Sequence, residues 1–86
     1  MEIAGKRALI LGGTRGIGLA IARKLATKGV RLALPWFDWP QSVAAMVKEF
    51  GSMAADHLAL QADLRQPREV AALMAAIEQR FGGLDI

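Results

Sequence analysis

The chain has 86 residues, 53% of them hydrophobic, which is room for one small domain. Its formal charge is +3, with 11 Lys and Arg scattered among 8 Asp and Glu. That pattern lacks the basic cluster with interleaved aromatics that nucleic-acid binding needs. Cysteine is absent, which excludes a disulfide framework and a Cys-based zinc site.

The chain reads as an alternation of strands and helices. Residues 6–11 form an apolar run typical of a strand buried on both faces. Residues 16–28 have helical periodicity, with Ile17, Ala20, Ile21 and Leu25 predicted inward and Gly29 as the stop. Residues 30–34 read as a second strand, ended by Pro35 because proline has no N–H to donate.

Pro35 and Pro40 bound a loop that contains Trp36, Phe37, Asp38 and Trp39, and Asp38 is the expected N-cap of the next helix. That helix carries Val43, Met46, Val47 and Phe50 at i, i+3, i+4, i+7 and stops at Gly51. Residues 57–62 read as a third strand closed by Asp63. Pro67 suits the first turn of a third helix, whose predicted inner face is Val70, Leu73, Met74, Ile77 and Phe81. Glu69 and Glu78 fall on its outer face as solvated charges. Gly82 and Gly83 end it, and Leu84-Asp85-Ile86 opens a fourth strand.

This rhythm predicts an α/β fold. It is a Rossmann-type doubly wound parallel sheet, a β-α-β-α-β-α-β start that is incomplete at the C-terminus. Residues 1–86 are then the N-terminal part of one domain. In strand order 3-2-1-4, a fourth strand cut at its third residue leaves the most apolar strand short of a partner, so a longer polypeptide or a second chain is expected to complete the sheet. No apolar run nears the roughly 18 residues of a membrane span, and no secretory signal is visible, so a cytoplasmic location is expected.

The chemistry concentrates in Gly12-Gly13-Thr14-Arg15-Gly16-Ile17-Gly18, between the first strand and the first helix. A helix N-terminus carries unpaired N–H groups and the positive end of a dipole, and glycines let a pyrophosphate approach the backbone. A P-loop is excluded because Leu19 and Ala20 stand where its Lys and Ser/Thr would be. His57, the only histidine, is expected to be structural or solvated, and no metal-ligand cluster is visible.

The G-x-x-x-G-x-G spacing resembles the cofactor turn of the short-chain dehydrogenase/reductase family. Ala62-Asp63-Leu64 is similar to that family's acidic turn after the third strand. The stretch Phe81-Gly82-Gly83-Leu84-Asp85-Ile86 is similar to its approach to the Asn-Asn-Ala-Gly segment. Leu11 departs from the family, where threonine is common and ties the turn to the fourth strand.

The resemblance implies an NAD(P)-binding site made of Gly12, Gly13, Thr14, Arg15, Gly16, Ile17, Gly18, Trp36, Phe37, Asp63 and Leu64. Ile17 would offer its N–H to the pyrophosphate and bury its side chain, and Thr14 would bond near the ribose or phosphate. Asp63 would meet the adenine amino group, with the Leu64 backbone beside it. Trp36 and Phe37 fall where NAD users carry an acid for the ribose 2′-OH, and neither is charged. Arg15 matches a cation that meets the 2′-phosphate, so NADP is favoured over NAD. For the aromatic loop three readings stay open: packing on the second helix, covering the adenine, or a subunit contact.

The resemblance further implies hydride transfer to or from a carbonyl or alcohol substrate, and a homo-oligomer. The family's catalytic tyrosine, lysine and serine are expected beyond Ile86, since the chain has no tyrosine. Two other classes stay open: a non-catalytic nucleotide-binding scaffold, and another Rossmann-type user of an adenine cofactor such as a methyltransferase.

Overall fold

A computed structural model describes residues 2–13, 16–37, 40–53 and 55–86. The elements are β1 (Arg7–Leu9), α1 (Gly16–Thr27), β2 (Arg31–Trp36), α2 (Pro40–Gly51), β3 (Leu58–Gln61) and α3 (Pro67–Phe81). The strands form one parallel sheet in the order β1-β2-β3. Arg7 pairs with Arg31 and Leu9 with Ala33, while Ala33 pairs with Leu58 and Trp36 with Gln61. This is the strand order expected of half a doubly wound sheet.

Alternation along β2 places a core on each face of the sheet. Leu32 and Leu34 join Ala8, Ala22, Val30, Met46 and Phe50, so α1 and α2 cover one face. Ala33 points the other way, into a cluster with Ala62 and with Leu73, Ile77 and Phe81 of α3. Leu73 and Ile77 are nearly inaccessible, and each contributes about 2 kcal/mol by leaving water.

Pro35 does not end the second strand. It lies inside β2, buried and paired with Leu60. The reason is directional. Ile10 N–H donates to Ala33 O and Ala62 N–H to Trp36 O, so odd positions of β2 address β1 and even positions address β3. The N–H that Pro35 lacks would have faced the β1 side, beyond the last β1 residue, where no ladder bond is lost.

Helix α1 is turned differently from the predicted face. Ile17 is 81% exposed and Ile21 47%, and Ala20 is exposed as well, whereas Ala22 is fully buried with Leu19, Leu25 and Ala26 packed beside it. Gly18 sets this rotation by pressing its backbone against Gly12, which turns its neighbour Ile17 outward. Val47 and Met74 are also exposed, at the margins of their helices' buried stripes. Val43, Met46 and Phe50 of α2 and Leu73, Ile77 and Phe81 of α3 are buried as predicted. Asp38, the expected cap of α2, lies outside the described residues.

Gly82 caps α3 in the left-handed conformation, with its N–H on Glu78 O at 2.8 Å. The chain then returns along the free edge of β1. Leu9 N–H donates to Ile86 O, and Asp85 and Ile86 N–H groups donate to Arg7 O. The stretch predicted to open a fourth strand therefore already bonds where that strand belongs, beside β1.

Candidate functional site

Parallel strands end on the same edge of the sheet. This brings Gly12 and Gly13 after β1, Phe37 after β2 and Asp63 after β3 into one row. Two strand spacings, about 10 Å, separate the first from the last. The edge is the usual ligand side of an open α/β sheet.

The glycine turn is built as the motif requires. Gly12 and Gly16 have φ of 71° and 63°, which side chains rarely adopt. Among the described residues a Cβ on either would meet nothing within 4 Å, so these leave the space before the turn open. Gly18 has the opposite constraint: a Cβ there would lie 2.1 Å from Gly12 O. Gly13 is buried, and a Cβ would press on Leu34 at 3.0 Å. Helix α1 starts at Gly16 with no acid in its first turn, leaving the positive end of its dipole unopposed. Thr14 and Arg15 lie outside the described residues. Leu11, the departure from the family, is 58% exposed.

The two aromatic side chains beyond β2 diverge. Trp36 packs against the core on the α2 side. Phe37 is 44% exposed, and the Arg65 guanidinium lies 5.4 Å from its ring centroid. Packing on the second helix thus describes Trp36, while Phe37 faces the turn after β3. Trp39 is outside the described residues.

Asp63 is 7% exposed, and its side chain and backbone are both hydrogen-bonded. Its Oδ1 accepts the Arg65 backbone N–H at 3.0 Å and Nε at 2.9 Å, and its Oδ2 accepts Nη2 at 3.1 Å. Its own N–H donates to Glu69 Oε1 at 2.9 Å, and its carbonyl accepts the Gln66 N–H at 3.0 Å. The Arg65 guanidinium and backbone N–H hold this carboxyl below the usual range. Leu64 beside it is 42% exposed.

Two further residues hold Asp63, one with no role expected from its sequence position and one expected to be a solvated charge. Arg65 completes an Asx turn, for which an aspartate two residues before an N–H donor is the signal. Glu69 is not a solvated outer-face charge. It stands third in α3 after Pro67, where an acid can reach back to the preceding turn, as capping residues do.

His57 lies away from this row, at the start of β3. Its Nδ1 accepts the Leu32 N–H at 3.1 Å, and its ring meets Phe50 edge-on at 5.4 Å. Burial pushes its pKa down, with Asp56 opposing. A neutral ring that accepts at Nδ1 carries its proton on Nε2, which is buried without a partner among the described residues. The role is structural, as expected. A cavity of about 450 Å³ beside it is lined by Trp36, Val43, Phe50 and Ala59. It lies between α2 and β3, not on the strand-end row. Among the described residues no group of three or more His, Cys, Asp or Glu could hold a metal ion, and no helix is long and apolar enough to cross a membrane.

The strand-end row brings together a turn with left-handed Gly12 and Gly16, the close approach at Gly18 and an acid two strands away. With the parallel strand order, they give the architecture of the Rossmann class. The particular family follows from comparison. The chain belongs to the short chain dehydrogenase family, whose model matches residues 6–86. It is 42% identical over 82 residues to D-beta-hydroxybutyrate dehydrogenase of Rhizobium meliloti (strain 1021), covering 94% of this chain and 32% of that protein. It is 35% identical over 81 residues to 3-oxoacyl-[acyl-carrier-protein] reductase FabG of Staphylococcus aureus (strain Mu50 / ATCC 700699), covering 94% and 33%.

Solved structures agree. A short chain dehydrogenase from Burkholderia cenocepacia J2315 in complex with NADP superposes with a TM-score of 0.86 at 36% identity, covering 99% of this chain and 35% of that one. A short chain dehydrogenase/reductase from Burkholderia phymatum in complex with NAD gives 0.88 at 31% identity, covering 98% and 30%. The chain spans about a third of the length of the relatives it matches.

Proposed function

We propose that the full-length protein is an NAD(P)-dependent oxidoreductase acting on a carbonyl or alcohol, and that this chain supplies its cofactor-binding half. One observation carries the reading: a Cβ at Gly18 would overlap Gly12 O, while one at Gly12 or Gly16 would meet none of the described residues within 4 Å. Tight packing behind the turn and emptiness before it are what a pyrophosphate cradle needs.

The residues divide the work along the edge. Gly12, Gly13, Gly16, Ile17 and Gly18 present backbone N–H groups and the α1 dipole to the pyrophosphate. Thr14 bonds near the ribose or phosphate. Asp63 accepts the adenine amino group, with Leu64 beside it, and Trp36 and Phe37 border the adenosine. The bound nicotinamide supplies the hydride chemistry. Catalytic side chains are proposed to lie outside these 86 residues. The full-length protein is proposed to be a homo-oligomer.

NADP is the proposed preference over NAD. Support comes from uncharged Trp36 and Phe37 where an acid would select NAD, and from Arg15 in the phosphate-reading position. Neighbours holding NADP and NAD are both known, so the cofactor class is common to either outcome. Comparing NADPH and NADH turnover by the full-length protein tests this. A preference for NADPH that Arg15→Ala abolishes supports it, and a strong preference for NADH overturns it.

A further inference from the structure

We propose that Arg65 is a positioning residue for adenine recognition, setting the Asp63 carboxylate so that it reads the amino group of the base. The proposal rests on the reading above that Asp63 meets the adenine. It adds a residue whose side chain acts through Asp63 rather than on the cofactor's phosphates.

The geometry is specific. A carboxylate oxygen has two lone-pair places. Oδ1 fills both, with Arg65 N–H at 3.0 Å and Nε at 2.9 Å. Oδ2 takes Nη2 at 3.1 Å, and among the described residues that is its one donor. One acceptor place therefore remains on the carboxylate, and it is aimed by the guanidinium plane. The same guanidinium lies over Phe37, so β2 and β3 are joined at the mouth of the adenosine region. The Asp63 N–H is held by Glu69, which keeps the backbone from following if the side chain turns.

An acceptor fixed in this way selects a base that donates at its six-position. Adenine has an amino donor there, and hypoxanthine has a carbonyl acceptor that would face the carboxylate. Losing the Arg65 side chain leaves the Asp63 carboxylate held by the residue-65 N–H alone, free to turn about that one bond, so the selection weakens although the acid is still present. Arg65 is 78% exposed in its side chain, so its replacement removes little packing.

The test uses the full-length protein and three reduced probes: NADH, its hypoxanthine counterpart, and nicotinamide mononucleotide, which has no adenosine. Titration of wild type, Arg65→Ala and Arg65→Lys gives the dissociation constants, with thermal melting of each variant alongside. Wild type is expected to prefer NADH over the hypoxanthine dinucleotide by roughly tenfold or more, the scale of one charged hydrogen bond. Arg65→Ala should reduce that ratio to about twofold, with mononucleotide binding unchanged, and Arg65→Lys should restore part of it, since lysine offers a point charge without the fork. An unchanged ratio in Arg65→Ala overturns the proposal. A variant that weakens all three probes equally also overturns it, since that marks a structural role. Wild type that binds neither dinucleotide sinks the cofactor reading itself, which is a different result.

Discussion

Arg7 and Asp85, separated by 78 positions, are joined by four hydrogen bonds, three of them to the Asp85 carboxylate and one from the Asp85 N–H to Arg7 O. The Arg7 backbone N–H and Nε both donate to Asp85 Oδ2 at 2.9 Å, and Nη2 donates to Oδ1 at 3.2 Å. Arg7 Nη1 also reaches Phe81 O, the end of α3. A side chain on Gly83 would collide with that guanidinium, its Cβ falling 2.9 Å from Nη1. One arginine thus ties the first strand, the last helix and the return of the chain to the free edge of β1.

This pair predicts an acid-sensitive stability. The Arg7 side chain holds the Asp85 carboxyl down at about 2, helped by the Arg7 backbone N–H. As pH falls the unfolded chain therefore takes up this proton before the folded one does. The contribution is complete above about pH 4, the ordinary aspartate value, and is lost on the way down to about 2. Melting the full-length protein from pH 5 to 2 should show Asp85→Asn with a lower Tm at pH 5 and a difference from wild type that shrinks with acid. A difference that does not depend on pH would disprove the linkage.

His57 predicts a second pH window with the opposite kind of group. Its folded pKa is depressed by burial, so on acidification the unfolded chain binds the proton first. Stability should fall as pH drops below about 6.5. His57→Phe keeps the ring packed on Phe50 but leaves the Leu32 N–H without its acceptor, at a cost of about 1–3 kcal/mol. Urea unfolding at pH 7.5 and 5.5 separates the two effects: the variant is weaker at pH 7.5 and less sensitive to pH.

The alternation of elements was readable because it rests on side-chain periods of two and 3.6. Gly29, Gly51 and Gly82 punctuate them where expected. The rotation of α1 was not readable from its isoleucines. It is set by Gly18, a residue with no side chain to enter a hydrophobic pattern, and Ile17 and Ile21 follow it outward. Pro35 misled because a missing N–H matters only on the side where a strand would accept it. The hold of Arg65 and Glu69 on Asp63 depends on a turn conformation that no periodicity encodes. The acid itself was legible, since it follows an apolar strand.

Glycine substitutions should separate close approach from simple helix propensity. Gly18→Ala places a Cβ 2.1 Å from Gly12 O, so turn and helix must part. A loss of about 3 kcal/mol is expected, in the range of overpacked sites, with dinucleotide affinity falling too. Gly51→Ala adds a Cβ with none of the described residues within 4 Å at the end of α2 and should be neutral or stabilising by up to about 1 kcal/mol. Denaturant midpoints of both variants check this. Equal effects would mean that the turn yields more easily than its geometry implies.

The central claim, that the strand-end row holds a nicotinamide dinucleotide, is tested most directly by calorimetric titration of the full-length protein with NADPH, NADH and S-adenosylmethionine. The account predicts saturable binding of a nicotinamide dinucleotide, tighter for NADPH, and none for S-adenosylmethionine. Binding of S-adenosylmethionine alone, or of none of the three, would contradict it.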